Sequence, residues 1–178
     1  MISIILIFIF LFKSFPDYNS SEKELIRRLF YFSIESKDTL KIFEDKLKKI
    51  DKELDSNFKD AYYGAYLTLV AKHSINPYTK YFKLKEGLEF LNKSIKNDPE
   101  KLEFRFLRLS ILNYVPSFLG FDNFFYEDYR QIKNLIIKKD YTELDRKIHK
   151  GILEFLLRSQ KISEDEKHFL GNIYKDFK

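Results

Sequence analysis

The chain contains no cysteine. That excludes disulfides, cysteine-based zinc sites, thiol chemistry and a lipidated N-terminal cysteine. Four prolines and five glycines in 178 residues are few, which suits helices with short connections. Histidine is scarce as well: His73, His149 and His168 are the three. Asp145 and His149 share a helical face at i, i+4. One carboxylate and one imidazole are too few for a metal site unless other helices contribute, so they read as a surface ion pair. No H-E-x-x-H, no Gly-rich phosphate loop and no G-x-S-x-G occurs. No helix face offers the two inward carboxylates a glycosidase needs. The expectation is therefore no catalytic residue, no cofactor and no metal. A small hydrolase with an unrecognised site is the enzyme alternative.

No apolar run approaches the roughly 20 residues a membrane span requires. The longest, Ile2 to Phe12, is interrupted by Ser3. Its length suits the hydrophobic region of a secretory signal, although no Lys or Arg precedes it and no A-x-A follows. Residues 1–14 are read as a signal peptide or an N-terminal anchor, with a buried strand or helix as the remaining reading. Residues 15–20 form a linker and 21–178 a single all-helical domain. The expected location is exported: periplasmic, envelope-associated or secreted. An uncleaved segment would anchor the chain and be its only membrane contact.

Charge is close to balanced. The formal net charge is +5, and removing residues 1–14 takes only Lys13 with it. Such a mild excess is well short of a nucleic-acid-binding composition. Lys138, Lys139, Arg146, Lys147 and Lys150 cluster late, but Glu143 and Asp145 interrupt them, as on a solvated face. With 44% apolar and 33% charged residues, the chain is globular and long enough to bury roughly 70% of its unfolded surface. The 19 Phe and 12 Tyr fit an aromatic-rich core or a compositional bias of the genome.

Periodicity after the N-terminal run is helical throughout. Ser21 with Glu24 makes a capping box for a helix to about Glu35. Ser36 caps the next, on which Leu40, Phe43, Leu47, Ile50 and Leu54 alternate three and four. Two heptads are too few to demand a dimer, and the oligomeric state stays open. Ser56 caps a third helix with Phe58, Ala61, Tyr62, Ala65, Tyr66 and Leu69 on its face. Asn76-Pro77 marks the next turn. Leu84, Leu88, Leu91 and Ile95 then form one face of a fourth. Asp98 is placed to cap a fifth helix, with Pro99 at its first position. That helix is apolar on two sides, through Phe104, Leu107 and Ile111 and through Leu102, Phe106 and Leu109, as for an element buried on both. Pro116 ends it near Tyr114. Asn123 caps a sixth helix, Thr142 and Asp145 open a seventh, and Ser163 with Glu166 opens the last.

Eight helices at this spacing predict an all-α fold of stacked antiparallel helix hairpins, with an irregular helical bundle as the alternative. Gly87, Leu91, Ser94 and Pro99 have the spacing small, large apolar, small, proline. This resembles the second helix of a tetratricopeptide repeat, TPR. Tyr62, Ala65, Tyr66 and Leu69 resemble its first helix, and Phe104, Leu107 and Ile111 that of the next repeat. The resemblance covers roughly Ala61 to Ile111. It implies a TPR-like α-solenoid that binds a protein or peptide.

The binding residues expected on that reading are Arg105, Arg108, Phe118, Tyr62 and Tyr66. Arg105 and Arg108 lie at i, i+3 on an otherwise apolar helix. They either pair with Glu103 or another acid, or line a concave surface able to hold a carboxylate. The loop Pro116 to Asn123 carries Phe118, Leu119 and Phe121 and either folds under the domain or supplies a wall of that surface. The leading expectation is a non-enzymatic helical-repeat binding or scaffold protein of the cell envelope. The alternative is a basic helical protein that binds nucleic acid or anionic lipid.

Overall fold

The structure, a computed structural model, describes residues 20–50, 55–138 and 146–175, with side chains excepted at 20, 21 and 146–148. Residues 1–14, most of the 15–20 linker, the Ser21 cap, Leu54, Thr142 and Asp145 lie outside that description. The described residues are all-α: α1 Ser20–Ser33, α2 Lys37–Lys49, α3 Ser56–His73, α4 Pro77–Asn97, α5 Leu102–Leu112, α6 Asp122–Lys138, α7 Arg146–Arg158 and α8 Glu164–Lys175. A short 3-10 turn, Ser117–Leu119, precedes α6. Sequence-adjacent helices pack against each other in the pairs α1–α2, α2–α3, α3–α4 and α7–α8. The chain divides into two compact units, with a boundary in the sequence between Ile111 and Leu112.

In the unit that ends at Ile111, the apolar stripes read from the sequence become the core. Ile26 and Phe30 of α1, Phe43 and Leu47 of α2, Phe58, Ala61 and Tyr62 of α3, and Leu88 and Leu91 of α4 are all buried. The caps follow local chemistry. Ser36 Oγ accepts from Thr39 N at 3.2 Å. Asp55, one residue ahead of the expected Ser56, caps α3 by accepting from Asn57 N at 2.9 Å. Asn76 caps α4 by accepting from Tyr78 N and Thr79 N, with Pro77 at the first helical position.

The α3–α4 hairpin is unusually close. A β-carbon placed on Gly64 would lie 2.6 Å from the Gly87 carbonyl oxygen, and one on Gly87 would lie 2.5 Å from that of Gly64. Only two glycines let these backbones meet. Nearer the opposite end of the pair, Asn57 Nδ2 donates to the Ser94 carbonyl at 3.0 Å, and Ser94 Oγ donates to that of Asn57 at 3.3 Å.

The α4–α5 turn departs from the expected cap. Asp98 closes α4, its N–H donating to the Ser94 carbonyl at 3.1 Å, and α5 begins only at Leu102. Lys101 N donates back to Asp98 O at 3.2 Å. Pro99 and Glu100 thus occupy the turn, not the first turn of the helix. Every residue of α5 from Leu102 to Ser110 is buried, as its two apolar stripes predict.

The second unit contains α6, α7 and α8. Phe125, Ile132 and Ile136 of α6, Ile152, Leu153 and Leu156 of α7, and Leu170 of α8 are among its buried apolar residues. The Ser163 cap forms, its Oγ accepting from Glu166 N at 3.3 Å. Glu166 itself accepts from Tyr129 OH at 2.5 Å and from Lys133 Nζ at 2.7 Å, joining α6 to α8. His149 is fully buried, not on the surface as its i, i+4 spacing to Asp145 suggests. Spacing sets which residues share a helical face but not which way that face turns.

Candidate functional site

The two α3 tyrosines expected in a binding site diverge, because neighbouring helix positions point in different directions. Tyr62 turns into the core, is completely buried, and donates its hydroxyl to Glu103 Oε1 at 2.8 Å. Glu103 holds Arg27 as well, in a two-pronged ion pair of 2.7 Å from Nε and 3.0 Å from Nη2. Arg27 lies over the Phe58 ring at 5.4 Å, and Phe58 packs on Tyr62 with centroids 4.5 Å apart. Burial raises the Tyr62 hydroxyl well above its ordinary pKa, and the charge on Glu103 adds to it. For Arg27, burial opposes the charge, but the Glu103 hydrogen bond and charge outweigh it and the net shift is upward. This network ties α1, α3 and α5 together and offers no surface to a ligand.

Arg105 and Arg108 are buried too, at 8% and 2% exposure. Arg105 Nε donates to the Pro99 carbonyl at 2.8 Å. Arg108 Nη1 donates to Asn92 Oδ1 at 2.6 Å. Glu103, the acid expected to pair with them, is engaged by Arg27 and Tyr62. Neither arginine side chain lies open to solvent in this conformation. Phe118 belongs to the other unit and is 86% exposed, in the 3-10 turn that Gly120 ends with a left-handed φ of 81°. The structure places this apolar loop in solvent at its tip, with Leu119 and Phe121 half-buried.

Tyr66 stays near the surface and has company the sequence reading missed. Tyr63, 37% exposed, stacks on it with centroids 5.9 Å apart. Phe90, three residues after Gly87, meets Tyr63 edge-on at 5.0 Å. The glycine crossing permits that contact, since it draws α4 against α3 beside Tyr63 and one turn before Phe90. Phe43 of α2 meets Tyr66 at 6.1 Å. Tyr63, Tyr66 and Phe90 therefore form a half-exposed aromatic ledge across α3 and α4, with α2 at its edge. The spacing of Tyr63 and Tyr66 at i, i+3 was the signal available in the sequence. The position of Phe90 needed the hairpin.

Ion pairs bound the ledge on both sides. Tyr66 lies near Glu44, which accepts from Lys48 at 2.6 Å. Asp60 accepts from Lys93 at 2.8 Å. Burial pushes the Tyr66 hydroxyl up to about 12, and the neighbouring Glu44 charge adds to it. Glu44 is held below its ordinary value, chiefly by the Lys48 hydrogen bond. At neutral pH the Tyr66 phenol is thus neutral, and the ledge lies between paired charges. Such a surface can stack on apolar or aromatic side chains and hydrogen-bond a peptide backbone.

Among the described residues, no three His, Asp or Glu side chains gather as a metal site. No described helix is long and apolar enough to cross a membrane. No family model, curated protein or solved structure matches the chain.

Proposed function

We propose that this chain is a TPR-like, non-enzymatic binding protein of the cell envelope whose α2–α3–α4 face holds a peptide segment of a protein partner. One observation carries the reading. The aromatic ledge of Tyr63, Tyr66 and Phe90 is built on a hairpin whose backbones are locked together at Gly64 and Gly87. Rigid aromatic side chains lose little entropy on binding, which is why a few of them dominate many interfaces. The small-residue spacing from Gly87 to Pro99 supports the repeat assignment, and the apolar run Ile2 to Phe12 supports the envelope location. Tyr66 remains in the proposed site, and Tyr63 and Phe90 join it. Tyr62, Arg105 and Arg108 take supporting positions in the core.

The test is selection of a random displayed-peptide library on the full chain. Peptides should be enriched, and Tyr63→Ala should weaken the best of them by at least about tenfold, the scale of a hot-spot residue. Helix content should be unchanged, since Tyr63 is partly exposed. Enriched peptides indifferent to both Tyr63→Ala and Phe90→Ala would place binding elsewhere and end the proposal.

A further inference from the structure

The start of α4 carries the most exposed apolar surface among the described residues of its unit. Every residue from Ile75 to Phe82 is exposed. Ile75 is 92% exposed, Tyr78 76%, Phe82 62% and Tyr81 41%. Tyr78, Tyr81, Phe82 and Lys85 fall at i, i+3, i+4 and i+7, so they share one face of the helix. The Tyr81 and Phe82 rings touch edge-on with centroids 5.8 Å apart. From Tyr78 to Lys85 the stripe runs roughly 10 Å along the helix. The end is fixed to the rest of the unit: His73 Nε2 hydrogen-bonds the Ser33 carbonyl at 2.7 Å, and Lys72 pairs with Glu35 at 3.1 Å.

Charge decides what such a surface fits. The stretch from Ser74 to Lys85 contains Lys80, Lys83 and Lys85 and no acid. Lys83 is paired with Glu86 at 2.7 Å. Lys80 and Lys85 have no carboxylate partner among the described residues. Aromatic and aliphatic side chains that project with lysines beside them suit the headgroup boundary of a bilayer. There the rings bury roughly 5–10 Å deep, and the lysines extend toward anionic headgroups. A protein partner would need a shaped pocket for each projecting ring, whereas a fluid interface moulds around them.

The geometry points to Ile75 and the α4 residues up to Lys85, with Ile75, Tyr78, Tyr81 and Phe82 inserted and Lys80 and Lys85 at the headgroups, as a docking surface for an anionic lipid bilayer. This surface is distinct from the Tyr63–Tyr66–Phe90 ledge and stands without it.

The chain has no tryptophan, so Tyr78→Trp in the full chain introduces a single fluorescent reporter at the exposed tip. Vesicles of phosphatidylglycerol mixed with phosphatidylcholine should shift its emission to the blue, and brominated lipid should quench it. Pure phosphatidylcholine vesicles should do much less, and added salt should reverse the effect. Lys80→Gln and Lys85→Gln should each weaken vesicle binding roughly fivefold, the scale for one basic residue near an anionic surface. Adding Phe82→Ser to the reporter chain should abolish the shift while leaving helix content intact. Three results overturn the proposal. One is vesicle binding with unshifted Trp emission, which assigns the binding to another segment such as Ile2 to Phe12. Another is equal binding to neutral and anionic vesicles. The third is an emission shift caused by single-stranded nucleic acid and not by vesicles.

Discussion

Replacing Gly87 with alanine sets two opposed effects against each other, and the structure decides the sign. In an exposed helix interior the change would stabilise by about 1 kcal/mol, because alanine is the better helix former. At Gly87 the added methyl would lie 2.5 Å from the Gly64 carbonyl oxygen and 2.7 Å from Thr68 Cγ2. The first neighbour is backbone and cannot rotate away. Restoring ordinary contact at 3.4 Å requires α3 and α4 to part by about 0.9 Å. A gap of that size forfeits roughly a quarter to a half of the dispersion energy for each atom pair it opens. Overpacking of this kind costs about 1–3 kcal/mol. The expected outcome is a net loss of about 2 kcal/mol in urea unfolding followed by circular dichroism, with faster hydrogen exchange along α3 and α4. Gly64→Ala should behave alike. The double variant should lose less than the sum, because helices already parted have room for the second methyl. A Gly87→Ala chain that is as stable as its parent, or more so, would refute the close crossing.

Glu103→Gln keeps the shape of the side chain but removes the charge that neutralises buried Arg27, and should cost about 3 kcal/mol in denaturant unfolding; a loss below about 1 kcal/mol would mean the pair is not desolvated. Leu107→Ala empties part of buried α5 and should cost about 2–5 kcal/mol, checked by the same unfolding curve. The fold should weaken in alkali. Tyr66 is raised to about 12 and Tyr62 also lies above the ordinary phenol value, so between pH ~10 and ~12 the unfolded chain has released protons that the native chain retains, and stability falls as pH rises. Ultraviolet titration of tyrosinate should show part of the tyrosine signal appearing only with unfolding; ionisation of all tyrosines in one step near the ordinary value, ahead of unfolding, would contradict it.

The order of elements belongs to the sequence. The apolar positions Leu40, Phe43 and Leu47 repeat at helical spacing, and so do Leu84, Leu88 and Leu91. A pattern of that period can bury its side chains only as a helix. Ser36 and Ser163 announce helix starts because a side-chain oxygen there can accept from the backbone one turn on. The double stripe of α5 similarly announces its burial, since no face remains for water. The turn before α5 was not legible. A proline after an aspartate fits a first helical turn or a tight connection equally well, and backbone bonds made by Asp98 to Ser94 and Lys101 select the connection.

The partners across the fold were decided only in three dimensions. Glu103 is nearer in sequence to Arg105 and Arg108, yet it pairs with Arg27, 76 positions away, because α1 and α3 bring that guanidinium and the Tyr62 hydroxyl to its carboxylate. The rotation of α3 about its axis likewise separates Tyr62 from Tyr63. One turns into the core, and the other lies against Phe90 on the ledge. A sequence states which side chains share a helix. Which of them remain at the surface depends on the helices that cover the rest, and here that is set by two glycines, Gly64 and Gly87, close enough for their backbones to touch.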